Sequence, residues 1–316
     1  MFNFAAPRAV LVIVALCGPC FPSANDSDVV SKASTLSHAG KIKQAEAMLR
    51  SAVAANPQSA VLHGALGKLL FQQKRYEDSV EELGRAAQIS PESHEYNLFL
   101  AEALLGCGRF QVAVDFLQAV RQRFDKDAQF HYDLGFAYYN LNKMALAQKE
   151  IEEAVRLAPN LDRAKYLLAG CLISAGDSAR AIEELRKLVA EKPKNALYWV
   201  TLGQLLSHTV GGEAEALRVV RQALALNPRD AHVQFVAATV FSQCGDFAGA
   251  RPLLERLAKL DPSVLAVHVQ LARVYSRLGE RELARRETEI ANQLRQRAAS
   301  PASPPPGEPT ADVAQH

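Results

Sequence analysis

Apolar residues return at the helical period through almost the whole chain, in short stretches separated by polar turns, and the pattern predicts amphipathic helices arranged in pairs. The segment HYDLGFAYYNLNKMALAQKEIEEAVRLAPN, His131 to Asn160, holds one such pair, divided at Asn142 and ended by Pro159. Small residues stand on its apolar stripe, Gly135 in the first half and Ala147 and Ala154 in the second.

The same arrangement repeats. Pro57, Pro91, Pro159, Pro193, Pro228 and Pro262 are spaced by 34, 68, 34, 35 and 34 residues, and Asp125 occupies the slot that divides the interval of 68. A column 24 residues before each marker, or 25 before Pro228, reads Ala33, Gly67, Ala101, Gly135, Ala169, Gly203 and Ala238, with Ala272 one period later. A second column, 12 before, reads Ala45, Ser79, Ala113, Ala147, Ala181, Ala216, Ala250 and Ala284. Small residues on facing stripes let two helices approach to about 8 to 9 Å, so both columns are expected to be packing positions. Leucines fill the space around them, among them Leu66, Leu100, Leu134, Leu168, Leu202 and Leu271.

Between the two helices of a pair comes a residue suited to positive φ: Gly40, Gly108, Asn142, Gly176, Gly211 or Gly212, Gly245 and Gly279, with Lys74 the exception. The proline then closes the second helix, because it cannot continue the hydrogen-bond ladder. Eight units begin at Asp26, Ala60, His94, Ala128, Asp162, Ala196, Ala231 and Leu265. Trp199-Val200-Thr201-Leu202-Gly203, with the later Ala and Pro columns, resembles the opening of a tetratricopeptide repeat. That resemblance implies an all-α fold, a right-handed α-solenoid of about eight helix-turn-helix units over residues 25–298. The departures are Asp125 in place of proline, Pro252 inside a second helix, and polar Lys32 and Thr288 in the end repeats, where a cap is expected.

The ends read differently. Residues 1–24 carry one basic side chain, Arg8, then the apolar run AVLVIVALCG and Pro19 and Pro22, and are expected to be an export signal, with cleavage after Ala24. Ten apolar residues are too few to cross a bilayer, which makes an uncut anchor the weaker alternative. Residues 299–316, rich in Pro, Ser and Ala, lack apolar periodicity and are expected to form a flexible tail. Beyond the signal, Cys107, Cys171 and Cys244 imply no disulfide framework and are expected to be apolar fillers. With 36 Lys and Arg against 34 Asp and Glu there is no excess charge to gather nucleic acid.

Catalysis has no visible carrier. The sequence holds no GxSxG, P-loop, GxGxxG or HExxH, and His63, His131 and His268 share the packing column of Trp199. No enzyme activity, cofactor or metal is expected. The resemblance implies instead that the first helix of each unit lines a concave groove for a peptide or protein segment, with repeat positions 2, 5, 6, 9, 12 and 13 facing it. Those positions give Phe99, Glu102, Tyr132, Asp133, Phe136, Tyr139, Asn140, Arg163 and Tyr166, with Phe71 before them and the more polar Gln204, His208, His232, Phe235, Gln243, Gln270, Arg273 and Arg277 after. The carboxylate clamp of some family members is absent, since its places hold Gly64, Ala65, Lys68, Leu98, Phe99 and Glu102. The expected role is an exported protein-binding scaffold of the cell envelope, periplasmic or secreted, for instance in assembling an envelope machine. The alternative is a structural module whose groove is filled by its own tail or by another copy, giving a homo-oligomer.

Overall fold

A computed structural model describes residues 24–299. The expected export signal and tail lie outside the described residues, except for Ala24 and Ala299, which begin the first helix and end the last. Among the described residues there are sixteen helices and no strand, and they form eight helical hairpins in two compact units divided between Asn160 and Leu161. Unit 1 contains α1 (Ala24–His38), α2 (Ile42–Ala55), α3 (Ala60–Gln72), α4 (Tyr76–Ile89), α5 (His94–Gly106), α6 (Phe110–Phe124), α7 (Ala128–Asn140) and α8 (Met144–Leu157). Unit 2 contains α9 (Asp162–Ser174), α10 (Ser178–Glu191), α11 (Ala196–Leu206), α12 (Glu213–Leu226), α13 (Ala231–Gln243), α14 (Phe247–Leu260), α15 (Leu265–Arg277) and α16 (Arg281–Ala299). Odd-numbered helices are the first of each hairpin and even-numbered ones the second.

Polar side chains start the first helices. Asp127 Oδ1 accepts from Phe130 N–H at 2.8 Å and Asp230 Oδ1 from Val233 N–H at 2.9 Å, and Ser59, Ser93 and Asn195 serve likewise. At the turns the chain reverses through a left-handed residue followed by a six-residue backbone bond, such as Lys143 N–H to Tyr138 O at 2.9 Å. Lys74 departs from expectation here: despite its side chain it takes φ 60°, and Arg75 N–H still reaches Leu70 O at 3.1 Å. The turn geometry overrides a local cost of about 1 to 2 kcal/mol. In the longer turn of unit 2 the positive φ falls on Gly211, while Gly212 caps α12.

Within each hairpin the small columns meet. Ala45, Ala113, Ala147, Ala181, Ala216 and Ala250 are all 0% exposed, and Ala101 and Ala169 opposite them are 0% and 1% exposed. A Cβ placed on Gly135 would stand 2.6 Å from two atoms of the Ile151 side chain and 3.3 Å from Ala147 O. Gly67 and Gly203 are likewise buried, against Leu83 and Val220. Where the second column carries Ser79, its hydroxyl donates to Gly67 O at 2.8 Å, so the polar atom is satisfied without opening the hairpin. Around these contacts Leu66, Leu83, Leu134, Leu185 and Leu202 are at most 1% exposed, each contributing roughly 1.5 to 3 kcal/mol of burial. Pro252 sits inside α14 without ending it; its missing N–H falls opposite Ala248, an exposed residue.

A second column, also on the first helices, ties down the turns between hairpins. His63 Nε2 lies 3.1 Å from Pro57 O, Asn97 Nδ2 3.0 Å from Pro91 O, His131 Nε2 2.9 Å from Asp125 O, and Trp199 Nε1 2.9 Å from Pro193 O. Gln234 Nε2 and His268 Nε2 reach Pro228 O and Pro262 O at 2.9 and 3.0 Å. In these six repeats the column supplies a nitrogen donor long enough to reach six residues back, besides a packing surface; in the fifth, Lys165 stands there and meets Glu191 at 2.6 Å instead. The acceptor in the six is a main-chain carbonyl, which explains why Asp125 replaces proline at no cost to the hairpin. The Asp125 carboxylate adds a bond of its own, 3.2 Å from Arg121 Nε.

The histidines extend this tie to the second helix. His131 Nδ1 is 2.7 Å from Glu150 Oε2, and Arg121 holds the same carboxylate through Nη1–Oε1 at 2.9 Å and Nη2–Oε2 at 3.2 Å. Glu150 is 5% exposed. Burial opposes charge on His131, but the hydrogen bonds to Glu150 and to the Asp125 carbonyl outweigh it and raise the pKa above 6.5. Burial likewise pushes Glu150 upward, and its bonds to His131 and Arg121 reverse the shift and bring it below 4.5. The remaining terminal features are peripheral: Lys32 pairs with Asp28 at 2.7 Å on the surface, and Glu282 pairs with Arg285 at 3.4 Å.

Gly135→Leu is expected to lower unfolding free energy by about 1 to 3 kcal/mol or more, because Ile151 and the Ala147 backbone must both move. Gly84→Ala, at a helical glycine with nothing within 4 Å of a new Cβ, is expected to gain about 0.5 to 1 kcal/mol. Urea titration of both variants checks the pair; equal effects would contradict the assigned close approach. The His131–Glu150 pair gives a pH dependence. A folded pKa raised above the unfolded one makes the His131 contribution complete below about pH 6.5 and lost as pH rises through the folded value. Glu150, with a lowered pKa, contributes fully above about pH 4.5 and loses it only as pH falls through its folded value. The stability difference between the native chain and His131→Asn is expected to shrink as pH is raised from about 6 to about 9, measured by urea unfolding across that range.

Candidate functional site

In unit 1 the first helices α3, α5 and α7 lie side by side, linked by side chains that cross from one to the next. Lys68 Nζ on α3 meets Glu95 Oε1 on α5 at 2.8 Å and stands 6.0 Å from the Phe99 ring centre. Gln129 Nε2 on α7 bridges Glu102 Oε1 on α5 at 3.2 Å and Asp133 Oδ1 at 2.6 Å. Rings of this face come in two groups. Phe99 packs edge-on to Phe71 with centres 5.8 Å apart, and Phe71 meets Tyr76 at 5.5 Å. Tyr132 stacks on Phe136, one helical turn later, at 6.1 Å, and Phe136 meets Phe110 at 6.3 Å.

Phe99, Glu102, Tyr132, Phe136 and Tyr139 are half-buried and Asn140 is exposed, its Nδ2 donating to Phe136 O at 2.8 Å. Asp133 departs from the expected lining. It is 1% exposed and hydrogen-bonded by Gln129, so it anchors the junction of α5 and α7 and presents nothing to the groove. Phe110, the first residue of α6, completes the second ring group and was missed by a reading confined to first helices; an aromatic directly after the turn residues Gly108 and Arg109 was the available signal. Where a clamp side chain would stand, Gly64 is covered by the Tyr96 ring, and a Cβ there would overlap ring atom Cε1. Burial raises the Tyr96 pKa, in keeping with a ring packed over backbone.

Unit 2 carries Arg163, which is exposed, and Tyr166, whose ring centre lies 5.3 Å from that of Tyr198 and whose hydroxyl is 3.1 Å from Thr201 Oγ1. Further along, Ser207 Oγ donates to Gln243 Oε1 at 2.7 Å, again one first helix to the next. A cavity of about 890 Å³ opens beside the turns that precede α11 and α13; Asp162 and Lys192 on its rim pair at 2.9 Å. Cys171 is buried, while Cys107 and Cys244 are only half-buried and cap α5 and α13, so one of the three is the expected core filler. Among the described residues no group of three or more His, Cys, Asp or Glu could hold a metal ion, and no helix is long and apolar enough to cross a membrane. The buried histidines each face a turn carbonyl on one ring nitrogen and a second-helix carboxylate on the other, an arrangement that ties the hairpin together.

Comparison with known proteins places this geometry. Family models described as tetratricopeptide repeat match residues 36–103 and 141–205, residues 98–161 and 214–264, and residues 265–289. A probable biofilm formation methyltransferase, WspC, of Pseudomonas putida is 39% identical over 98 residues, 30% of this chain and 23% of that protein. BBSome complex member BBS4 of Bos taurus is 25% identical over 193 residues, 58% of this chain and 37% of that protein. The chain thus spans between 23% and 37% of the length of these relatives. Among solved structures, a tetratricopeptide repeat protein from Parabacteroides merdae superimposes with a TM-score of 0.63 at 14% identity, covering 79% of this chain and 98% of that one. The APC/C hetero-tetramer Cut9-Hcn1 gives 0.59 at 15% identity, covering 89% and 57%. Likeness at such identities is one of fold. With models of the same repeat matching between residue 36 and residue 289, over a chain built of successive helical hairpins, the chain belongs to the tetratricopeptide repeat family.

Proposed function

We propose that this protein is a non-enzymatic scaffold that binds a segment of a partner protein along the first helices of unit 1, and that it is exported to the cell envelope. Proteins of this family mediate protein–protein interactions, and the observation that carries the reading here is the pair of half-buried ring groups, Phe71–Phe99 and Tyr132–Phe136, on neighbouring first helices, the latter joined by Phe110 from the start of α6. Rings that keep part of their surface in water favour a partner that covers them, and aromatic side chains dominate interface energetics because they bury much area for little lost rotamer freedom. The apolar run behind Arg8 supports export through residues 1–24.

Full-length chain used as bait in its native host is expected to retain a defined protein partner. Phe99→Ala combined with Phe136→Ala is expected to weaken that capture by roughly a hundredfold or more, taking about 2 kcal/mol for each lost anchor, while helicity measured by circular dichroism stays unchanged. Undiminished capture by the folded double variant would reject this face. Expressed in a host with a general secretion pathway, the chain is expected to be recovered outside the cytoplasm without residues 1–24, as read by intact mass; recovery of only the unprocessed chain in the cytoplasm would reject export.

A further inference from the structure

The first helices of unit 2 carry a chemistry different from those of unit 1. Their one carboxylate, Asp162, is already held by Lys192, and α11 and α13 contain no Lys, Arg, Asp or Glu at all. On α15, Arg273 and Arg277 are exposed and one turn apart, and no carboxylate among the described residues pairs with either. The second helices behave in the opposite way: Arg186 meets Glu215 at 2.7 Å, Arg221 meets Asp246 at 3.0 Å and Arg251 meets Glu280 at 2.7 Å, each reaching the next hairpin. Gln270, on the same stripe of α15 as Arg273, has its Oε1 shielded from solvent with no donor in reach among the described residues.

An apolar cavity of about 480 Å³ lies between the first turns of α13 and the α14–α15 turn, and reaches the first turn of α15 at Val267. His232, Phe235, Leu257, Leu260, Asp261 and Val264 line it, and the Asp261 carboxylate is engaged by Ser263, whose N–H and hydroxyl donate to its Oδ1 at 2.9 and 2.6 Å. Leu260 is 71% exposed and Val264 38%, adjacent large apolar side chains left in water at the mouth of a concavity. From Leu265, the start of α15, Arg273 and Arg277 lie about 12 and 18 Å along the helix, a span that an extended chain covers in about four or five residues.

We propose that unit 2 binds an acidic segment of a partner protein, with an aliphatic or aromatic anchor in the Phe235–Leu260 cavity and one or two carboxylates, about four or five residues away, on Arg273 and Arg277. The charge of the surface selects the occupant: two guanidinium groups without counter-charge attract carboxylates and repel basic chains, and they pair with a carboxylate through two parallel N–H donors. This inference goes beyond the reading of unit 1 and shares no residue with it, so either stands or falls alone.

The test is fluorescence anisotropy on the full-length chain with a synthetic peptide carrying Leu, a spacer of about four Ser and Ala residues, and two Glu. Saturable binding that weakens as salt is raised is expected, with a loss of roughly tenfold for each carboxylate changed to Gln and for each of Arg273→Gln and Arg277→Gln. Leu260→Ser is expected to weaken binding without altering its salt dependence. All three substitutions are at exposed positions, and thermal melting confirms the fold of each variant. Equal binding of the neutral peptide, or of the Arg273→Gln/Arg277→Gln chain, would overturn the proposal. So would a gain in peptide affinity on Glu308→Gln/Asp312→Gln, which assigns the surface to the chain's own residues 300–316. A dimer in light scattering that dissociates on Arg273→Gln/Arg277→Gln would also overturn it, by making a second copy the occupant.

Discussion

The backbones of two helices come close enough in each hairpin that only Gly, Ala or Ser fits between them, and the rest of the molecule is arranged around that contact. Ala147, at 0% exposure, faces Gly135 with no room for one more carbon atom, and the equivalent pairs recur through both units. A side chain larger than a methyl group at either column would separate the hairpin and uncover the leucines on both sides of it. The small residues therefore set the period of the chain, because each hairpin must present them at the same depth for the next one to stack.

Two further layers of interaction divide the labour between first and second helices. On six of the first helices a nitrogen donor, variously His, Asn, Trp or Gln, reaches back to the carbonyl of the preceding turn and ties the hairpin to the chain entering it. On the second helices and at their caps, arginines cross to carboxylates of neighbouring hairpins, as Arg75, which caps α4, does to Glu46 at 2.8 Å and Arg121 to Glu150 at 2.9 Å. Structural charge is concentrated on second helices, which leaves the open faces of the first helices free to differ in chemistry. They are aromatic on α5 and α7 and basic on α15.

Much of the fold was legible because a repeated constraint leaves a repeated mark: the helix starts at Ala60, His94, Ala128, Asp162, Ala196, Ala231 and Leu265 coincide with the unit starts read from proline spacing. Single residues were less legible. Lys74 looked unsuited to its turn, but the hairpin imposes φ 60° on whatever stands there. Asp125 looked like a missing proline, although the position needs only a carbonyl for His131 to reach. His63, His131 and His268 were recognisable as packing residues, while their bonding was not, since its partners lie six residues before and 19 residues after. At the candidate site, position within the repeat brought Phe99, Tyr132 and Phe136 to one face. It misjudged Asp133, because a bond from Gln129 turns that carboxylate inward, and it passed over Phe110, whose ring arrives from the start of a second helix.

The central functional claim is that a partner meets the open face of the first helices and not the charged outer face of the second. Site-specific photo-crosslinking in the native host tests it most directly, with a photoreactive amino acid introduced at Tyr139 on α7 or at Lys149 on the exposed side of α8. The account predicts a discrete crosslinked partner from the Tyr139 position and none from the Lys149 position. A partner trapped from Lys149 alone would contradict it.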